Sequence, residues 1–247
     1  MTVERGRDQQ SVRPAVTRAS ASQPAELEED RARALELVPV SRETVARLDR
    51  FVAVLLDGQR RINLIAPSTE PALWTRHIAD SLQLLALAPQ ARLWADFGSG
   101  AGFPGLAIAC ALADTPGARV HLVESSTKKA AFLREAVRAA DVPVIVHAVR
   151  IADFVKQPPE HIEVVTARAV ASLTELLAAA YPLLIKGAVG LFPKGQGVEV
   201  ELTEAAKCWN IQASLTPSRT DPKARIVTVQ GLRPVSGSHG ERHPATR

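Results

Sequence analysis

The pattern that most constrains this chain begins after residue 92, where short apolar runs alternate with helical patterns. The runs cover residues 93–97, 120–123, 144–147, 164–167 and 189–192. Helical patterns follow from Pro104, through Lys128 and from Leu173. Such an alternation is typical of repeated βαβ units. It predicts an α/β fold in which helices cover both faces of a parallel sheet, with a closing hairpin made by residues 209–215 and 225–229.

Two helices are predicted ahead of the sheet. Apolar residues recur at helical spacing behind Ser41, a typical N-cap, and a second amphipathic helix spans residues 71–87 before Pro89. We therefore place a helical cap at 25–90 and a sheet domain at 91–231. Residues 1–24 and 232–247 are rich in polar residues, proline and arginine, and we predict that both are flexible tails.

Composition narrows the class of protein. No apolar run in the 247 residues approaches the ~20 residues that a membrane span needs, and the polar N-terminus does not resemble a secretory signal. Cys110 and Cys208 have no other Cys or His at ligand spacing, which argues against a disulfide framework and a metal site. We expect a cytoplasmic protein. The net charge of +4 arises in the arginine-rich tails and suggests a polyanionic partner.

A glycine-rich loop joins the first run to its helix. Four glycines closely follow Asp96, at positions Gly98, Gly100, Gly102 and Gly105. Glycines let the backbone approach a ligand, and the helix N-terminus offers free N–H groups, so we predict a nucleotide-like ligand. The dinucleotide fingerprint has its third glycine five residues after the first, where this chain has Phe103. An acid two residues before the first glycine instead resembles the S-adenosylmethionine loop of class I methyltransferases.

Other residues bear on the ligand and on the reaction. Glu124 ends the second run, where a carboxylate can accept hydrogen bonds from both ribose hydroxyls, although NAD enzymes use an acid in the same place. Arg168 ends the fourth run and cannot act as a base, because its guanidinium does not deprotonate. Cys110 lies behind the glycine loop, where a core position is expected. A site without a base suits an acceptor with a lone pair and no proton to lose, such as guanine N7, and a small-molecule nitrogen or sulfur would fit too.

The sequence resembles the bacterial small-subunit ribosomal RNA guanine-N7 methyltransferase G family, also called the glucose-inhibited division protein B family, over residues 43–229. The matching motifs are Asn63-Leu64, Arg76 through Leu82, Asp96 through Gly105, Glu124 with Lys128, Lys129, Phe132, Leu133 and Arg134, then Arg150, Arg168-Ala169 and Lys194-Gly195. The resemblance implies a class I methyltransferase with a Rossmann-like, doubly wound, mostly parallel sheet at 91–231 under the helical cap. It also implies methyl transfer from S-adenosylmethionine to N7 of a guanine in 16S rRNA, guanine 527 in the usual bacterial count.

The resemblance further implies which residues form the site. The expected cofactor contacts are Asp96, Gly98, Gly100, Gly102, Phe103, Glu124, Ile151, Ala152 and Arg168. The expected RNA contacts are Arg76, His77, Lys128, Lys129, Arg134 and Lys194. Catalysis is expected to rest on positioning, for which Arg168, Lys194 and His77 are the candidates. Family members often have Glu in place of Ala152, and the acid here is one residue later, at Asp153. We expect a metal-free monomer whose partner is 16S rRNA or the small ribosomal subunit.

Two other functions fit parts of the pattern. One is a methyltransferase for a small metabolite, and the other is a nucleotide-binding regulatory protein without catalysis. Calorimetry with S-adenosylhomocysteine and with NADH distinguishes the cofactors that these hypotheses require.

Overall fold

The sheet has the predicted doubly wound arrangement. The computed structural model describes residues 23–235, so the predicted tails lie outside the described residues except where stated below. The seven strands are β1 Leu93–Phe97, β2 Arg119–Val123, β3 Val144–His147, β4 Val164–Ala167, β5 Val189–Lys194, β6 Trp209–Pro217 and β7 Arg225–Pro234. Their order is β3-β2-β1-β4-β5-β7-β6. Strands β1 to β5 are parallel, and β7 runs antiparallel to both β5 and β6.

Strand β7 is longer than the sequence pattern indicated. It pairs with β6 as far as Pro234, opposite Trp209. Residues 232–234 therefore belong to the sheet, and our boundary at 231 was wrong. Leu232 is buried in the core, which explains why the pairing continues past Gly231.

Five helices cover the two faces of the sheet. They are α4 Gly105–Leu112, α5 Thr127–Ala140, α6 Ile151–Phe154, α7 Leu173–Leu184 and α8 Val198–Ala206. The alternation of side chains along β1 separates two cores. Trp94 packs with α4, α5 and the cap, whereas Phe97 packs with α7 and α8 on the other face. The cap therefore shares one hydrophobic core with the sheet.

The cap begins with two α-helices, α1 Gln23–Leu37 and α2 Arg42–Gln59. Helix α1 starts inside the segment that we predicted to be a flexible tail, at 23–24. The predicted cap of α2 is confirmed, because the Ser41 hydroxyl accepts the backbone N–H of Thr44 at 3.1 Å. Phe51 of α2 is fully buried against the sheet domain.

The second predicted helix of the cap is not a regular α-helix. A 3-10 helix at Pro67–Ala72, a π-helix at Trp74–Ala79, the short α3 at Asp80–Leu82 and a 3-10 helix at Gln83–Leu87 follow one another. The buried Asp30 carboxylate accepts the backbone N–H groups of Trp74 at 2.8 Å and Thr75 at 3.0 Å. Helix α1 thus caps the π-helix from outside its own segment, which no local pattern could reveal.

No helix of residues 23–235 combines the length and the apolar character that a membrane crossing requires.

We predict that Gly105→Ala lowers the free energy of unfolding by about 2 kcal/mol through overpacking. A Cβ at Gly105 would contact the Leu122 side chain and would lie 2.7 Å from the Cβ of Asp96. Urea denaturation measures the loss. Gly195→Ala is the matched control, because a Cβ there would meet nothing within 4 Å. Equal stability of the two variants would contradict tight packing between α4 and the sheet.

Candidate functional site

A cavity of about 660 Å³ lies beside the glycine loop. The neighbours of β1 are β2 on one side and β4 on the other, so the strand order reverses here, and ligands of open α/β sheets bind at such a point. The wall combines the glycine loop, the ends of β4 and β5, the turn between β6 and β7, and two cap segments near residues 64–66 and 76–80.

The glycines of the loop meet different requirements. Gly98, Gly100 and Gly102 have φ values of +66°, +54° and +96°, a region that other residues rarely adopt. A Cβ at Gly98 would lie 2.7 Å from Cγ2 of Val170, beside the cavity. A Cβ at Gly102 would instead lie 3.0 Å from Cζ of Phe51, in the core. Gly98 and Gly100 line the cavity, whereas Gly102 allows the loop to pack under the cap.

Asp96 presents a buried, partly unsatisfied carboxyl group beneath the loop. Its Oδ2 accepts the backbone N–H of Gly105 at 3.1 Å, and its Oδ1 has no partner among the described residues. Burial raises the pKa of Asp96 to about 7. A ligand that placed a positive group or a donor near Oδ1 would satisfy it.

Glu124 attaches the glycine loop to the end of β2. One carboxylate oxygen accepts the N–H of Gly100 at 2.9 Å and the other accepts the N–H of Ser126 at 2.7 Å. Each oxygen keeps a further lone pair, so the group can still accept hydrogen bonds from a ligand.

The adenine contacts expected from the resemblance lie away from the cavity wall. Ile151 and Ala152 begin α6, which follows β3, on the far side of β2 from the cavity. The side chain of Ala152 is exposed. The neighbouring Asp153 carboxylate is 3.0 Å from Lys156 Nζ, so the acid that stands one place later is engaged with its own helix.

Arg168 connects β4 to the cap. Its Nη1 donates to the carbonyl of Arg76 at 2.9 Å and to Asp80 Oδ2 at 3.3 Å, while Nη2 donates to His77 Nδ1 at 2.8 Å. The guanidinium carbon lies 5.3 Å from the centre of the Phe103 ring. The structure thus brings Arg168, Phe103 and His77 together at the cavity.

His77 lies between the cap and the glycine loop. Its ring stacks on Phe103 with centroids 5.0 Å apart and planes 20° apart. Its Nε2 is 2.9 Å from Thr69 Oγ1. Burial, followed by the charges of Arg168 and Arg76, lowers the pKa of His77 to about 3. The imidazole is therefore neutral throughout the physiological range.

The predicted RNA contacts are spread over several positions. Arg76 and Lys129 line the cavity, and the exposed guanidinium of Arg76 is 3.1 Å from Asp221. Lys128 and Arg134 are exposed on α5, outside the cavity. Lys194 is mostly covered, because its Nζ donates to Glu201 at 2.8 Å and to the carbonyl of Ala171 at 2.9 Å.

Sequence reasoning missed the residues that attach the β6–β7 turn to the cap. Asp80 Oδ1 accepts hydrogen bonds from Thr220 Oγ1 at 2.7 Å and from Gln83 Nε2 at 2.9 Å. Gln83 Oε1 accepts the N–H of Arg219 at 2.8 Å. Asp80 belongs to the Arg-His-Ile-x-Asp-Ser-Leu motif and could have been chosen from it. Thr220 lies in a hairpin turn with no comparable signal.

Comparison with known proteins gives one consistent result. The family model described as rRNA small subunit methyltransferase G matches residues 44–224. Two relatives named ribosomal RNA small subunit methyltransferase G are similar to this chain. The protein from Bradyrhizobium diazoefficiens is 61% identical over 191 residues, which cover 77% of this chain and 74% of that one. The protein from Nitrobacter hamburgensis is 58% identical over 218 residues, with 88% and 84% covered.

Solved structures support the fold. An O-methyltransferase from Bacillus cereus, in complex with SAH, aligns with a TM-score of 0.54 at 16% identity over 84% of this chain and 99% of that one. A methyltransferase from Geobacter sulfurreducens aligns with a TM-score of 0.50 at 14% identity over 78% and 98%. The predicted class I methyltransferase fold is thus confirmed. From the family model and the relatives together, the chain belongs to the rRNA small subunit methyltransferase G family.

Proposed function

We propose that this chain transfers the methyl group of S-adenosylmethionine to N7 of a guanine in the 16S rRNA of the small ribosomal subunit, guanine 527 in the bacterial count. Membership of the family supports the substrate class. The observation that carries the choice of atom is the hydrogen bonding of the cavity wall, which leaves no side chain there suited to removing a proton from the acceptor.

The residues at the glycine loop fit the proposed cofactor. Asp96 offers a buried acceptor without a partner, Glu124 keeps lone pairs for ribose hydroxyls, and Gly98 leaves room for a ligand beside the backbone. S-adenosylmethionine, when bound, supplies a methyl group on a cationic sulfur. We propose that Gly100, Phe103 and Arg168 complete the cofactor site, with Gly102 supporting the loop and Ile151 and Ala152 beside the adenine.

The cavity wall favours an acceptor that loses no proton. His77 has one nitrogen occupied by an Arg168 donor and a pKa of about 3, so it is a poor base. Asp80 and Glu201 are bonded to Arg168 and Lys194, respectively. Asp96, whose pKa is about 7, is fully buried behind the glycine loop. Guanine N7 has a free lone pair and can be methylated without a base. Holding it in line with the methyl group would then supply most of the rate enhancement.

Exposed cations near the cavity favour RNA over a small metabolite. Arg76 and Lys129 lie at the cavity, and Lys128 and Arg134 extend the positive charge along α5. We propose that these four side chains contact RNA phosphates. Because the Lys194 ammonium is already bonded to Glu201 and Ala171, we propose that it orders the loop after β4 rather than binding RNA.

The cellular setting follows from the proposed substrate. Ribosomal RNA is cytoplasmic in bacteria, so we propose a cytoplasmic enzyme. We also propose that it acts as a monomer, since the cap, the glycine loop and the β6–β7 turn that surround the cavity all come from one chain.

The function is tested on ribosomal RNA from a strain that lacks the protein. Borohydride and aniline cleave RNA at N7-methylguanine, and primer extension locates the break. We expect the break at guanine 527 to disappear in the deletion strain and to return when the gene is restored. An unchanged cleavage pattern would refute the RNA substrate. Binding of NADH but not S-adenosylhomocysteine by the purified protein would refute methyl transfer itself. Assays on naked 16S rRNA and on small-subunit particles identify the preferred form.

We predict that Lys128→Ala combined with Arg134→Ala weakens RNA binding and lowers the slope of log affinity against log salt by about two, about one for each phosphate contact. Binding of S-adenosylhomocysteine should be unchanged. Filter binding at several salt concentrations measures the slope. The control is Lys186→Ala with Lys207→Ala, which removes the same charge from the exposed ends of α7 and α8 on the opposite face. Equal slopes for the two double variants would contradict an RNA surface on α5.

A further inference from the structure

His77 is the one predicted site residue whose hydrogen bonds determine where its proton lies. A guanidinium has only donors, so the Nδ1 that faces Arg168 at 2.8 Å must be the acceptor. The proton of the neutral ring is then on Nε2, and it is donated to Thr69 Oγ1 at 2.9 Å. The Thr69 hydroxyl donates its own proton to the carbonyl of Ala66 at 2.8 Å. Each group in this chain of hydrogen bonds has a single role.

The surroundings of His77 keep the ring neutral. The charged groups that face it are the guanidinium of Arg168 and the side chain of Arg76, and both oppose a second positive charge. The Asp80 carboxylate is bonded to Arg168. A protonated ring would also direct an N–H at the Arg168 donor. An acid–base role for His77 therefore conflicts with both its charge environment and its hydrogen bonds.

The same ring contacts the two residues that flank the cofactor side of the cavity. It stacks on Phe103, and the guanidinium that it binds lies over the other part of that aromatic cluster, 5.3 Å from the Phe103 centroid. Phe103 is buried and also packs on Phe51 at 5.2 Å. Movement of the imidazole would therefore release Arg168 and remove one side of the Phe103 packing.

We infer that His77 is a positioning residue, a neutral imidazole of fixed tautomer that links the cap at Thr69 to Arg168 and holds that guanidinium against Phe103 at the cofactor side of the cavity. The inference rests on the proposed function for the role of Arg168. It assigns His77 neither to RNA phosphate nor to proton transfer.

Two substitutions separate the ring from its acceptor. His77→Phe keeps an aromatic ring against Phe103 and removes the acceptor, whereas His77→Asn keeps an acceptor near the position of Nδ1. We expect Kd for S-adenosylhomocysteine to rise about tenfold in His77→Phe, because a hydrogen bond to a charged group is lost, and markedly less in His77→Asn. Thr69→Val, which removes the partner of Nε2, should give a smaller increase in the same direction. Calorimetry measures Kd, and circular dichroism checks folding.

A double-mutant cycle with Arg168→Ala tests the link directly. If His77 acts through Arg168, His77→Phe changes Kd by less than about twofold once Arg168 is already alanine. A tenfold loss in both backgrounds would overturn the inference and indicate a general structural effect. Should His77→Phe fail to fold, the same cycle is run with Thr69→Val. Failure of the wild-type protein to bind S-adenosylhomocysteine would instead count against the proposed function.

The pH dependence of Kd provides an independent readout. Between pH 5.5 and 8.5 we expect the wild-type and His77→Phe profiles to be parallel, because a neutral His77 does not titrate there. Any inflection from Asp96, whose pKa is about 7, persists in both proteins. An inflection that is present in the wild type and absent from His77→Phe would refute the fixed neutral tautomer.

Discussion

Gly98→Val is expected to abolish detectable binding of S-adenosylhomocysteine while leaving a folded protein. Gly98 has a φ of +66°, where a β-branched residue is strongly disfavoured, and the new Cβ would lie 2.7 Å from Cγ2 of Val170. The loop and Val170 must both shift, at the point where a ligand approaches the backbone. We expect the affinity to fall at least about 100-fold, equivalent to about 2.7 kcal/mol.

A second glycine distinguishes loss of the site from backbone strain. Gly117 also has a positive φ, +77°, but a Cβ there would meet nothing within 4 Å, and the residue lies outside the cavity wall. Gly117→Val therefore carries similar conformational strain without disturbing the glycine loop. Calorimetry and thermal unfolding are measured for both variants. Retained affinity in Gly98→Val, or an equal loss in Gly117→Val, would contradict the assignment of the cofactor site.

The sheet could be predicted from the sequence because its strands are short, apolar and separated by clear helical patterns. The glycine loop was predictable for a related reason, since positive φ angles at Gly98 and Gly100 require a residue type that the sequence displays directly. The hydrogen bond from Gly100 to Glu124 also joins two residues that the pattern had already placed at neighbouring strand ends.

Features that depend on contacts distant in sequence could not be predicted. The π-helix is capped by Asp30, and the turn that contains Thr220 is attached to Asp80. Lys194 follows β5 at the edge where ligands bind, so the sequence favoured an RNA contact, yet Glu201 in the next helix is its partner. An ion pair across a loop leaves no periodic signal. For His77, the sequence indicated a position at the site but not the neutral state that Arg168 imposes.

These contacts give the cap a direct role at the proposed site. The carbonyl of Arg76, the ring of His77 and the carboxylate of Asp80 all come from the irregular helical segment, and all accept hydrogen bonds from Arg168. The wider turns of a π-helix expose backbone carbonyls in a way that a regular α-helix does not. The irregularity of the cap is therefore the feature that places three acceptors around one guanidinium.

Arg168→Ala is expected to reduce methylation of the RNA at least about 100-fold, since small displacements of reacting groups have effects of that size. The variant leaves Arg76 O, His77 Nδ1 and Asp80 Oδ2 without their donor and removes the cation above Phe103. Arg168→Lys should recover little activity, because a single ammonium cannot reproduce the planar guanidinium that reaches all three acceptors. Initial rates of methyl transfer to 16S rRNA measure both variants.

Arg47→Ala is the matched control for this substitution. The two arginine side chains have nearly the same exposure, 17% for Arg47 and 18% for Arg168, and each is bonded to an aspartate. Arg47, however, pairs with Asp114 on the outside of the cap, away from the cavity wall. Its loss should cost about 1 kcal/mol of stability or less and leave the rate nearly unchanged. Wild-type turnover in Arg168→Ala would place that residue outside the site. Equal losses of activity in both variants would mean that stability, not position, explains the effect, because only Arg168 contacts the groups that surround the reacting centre.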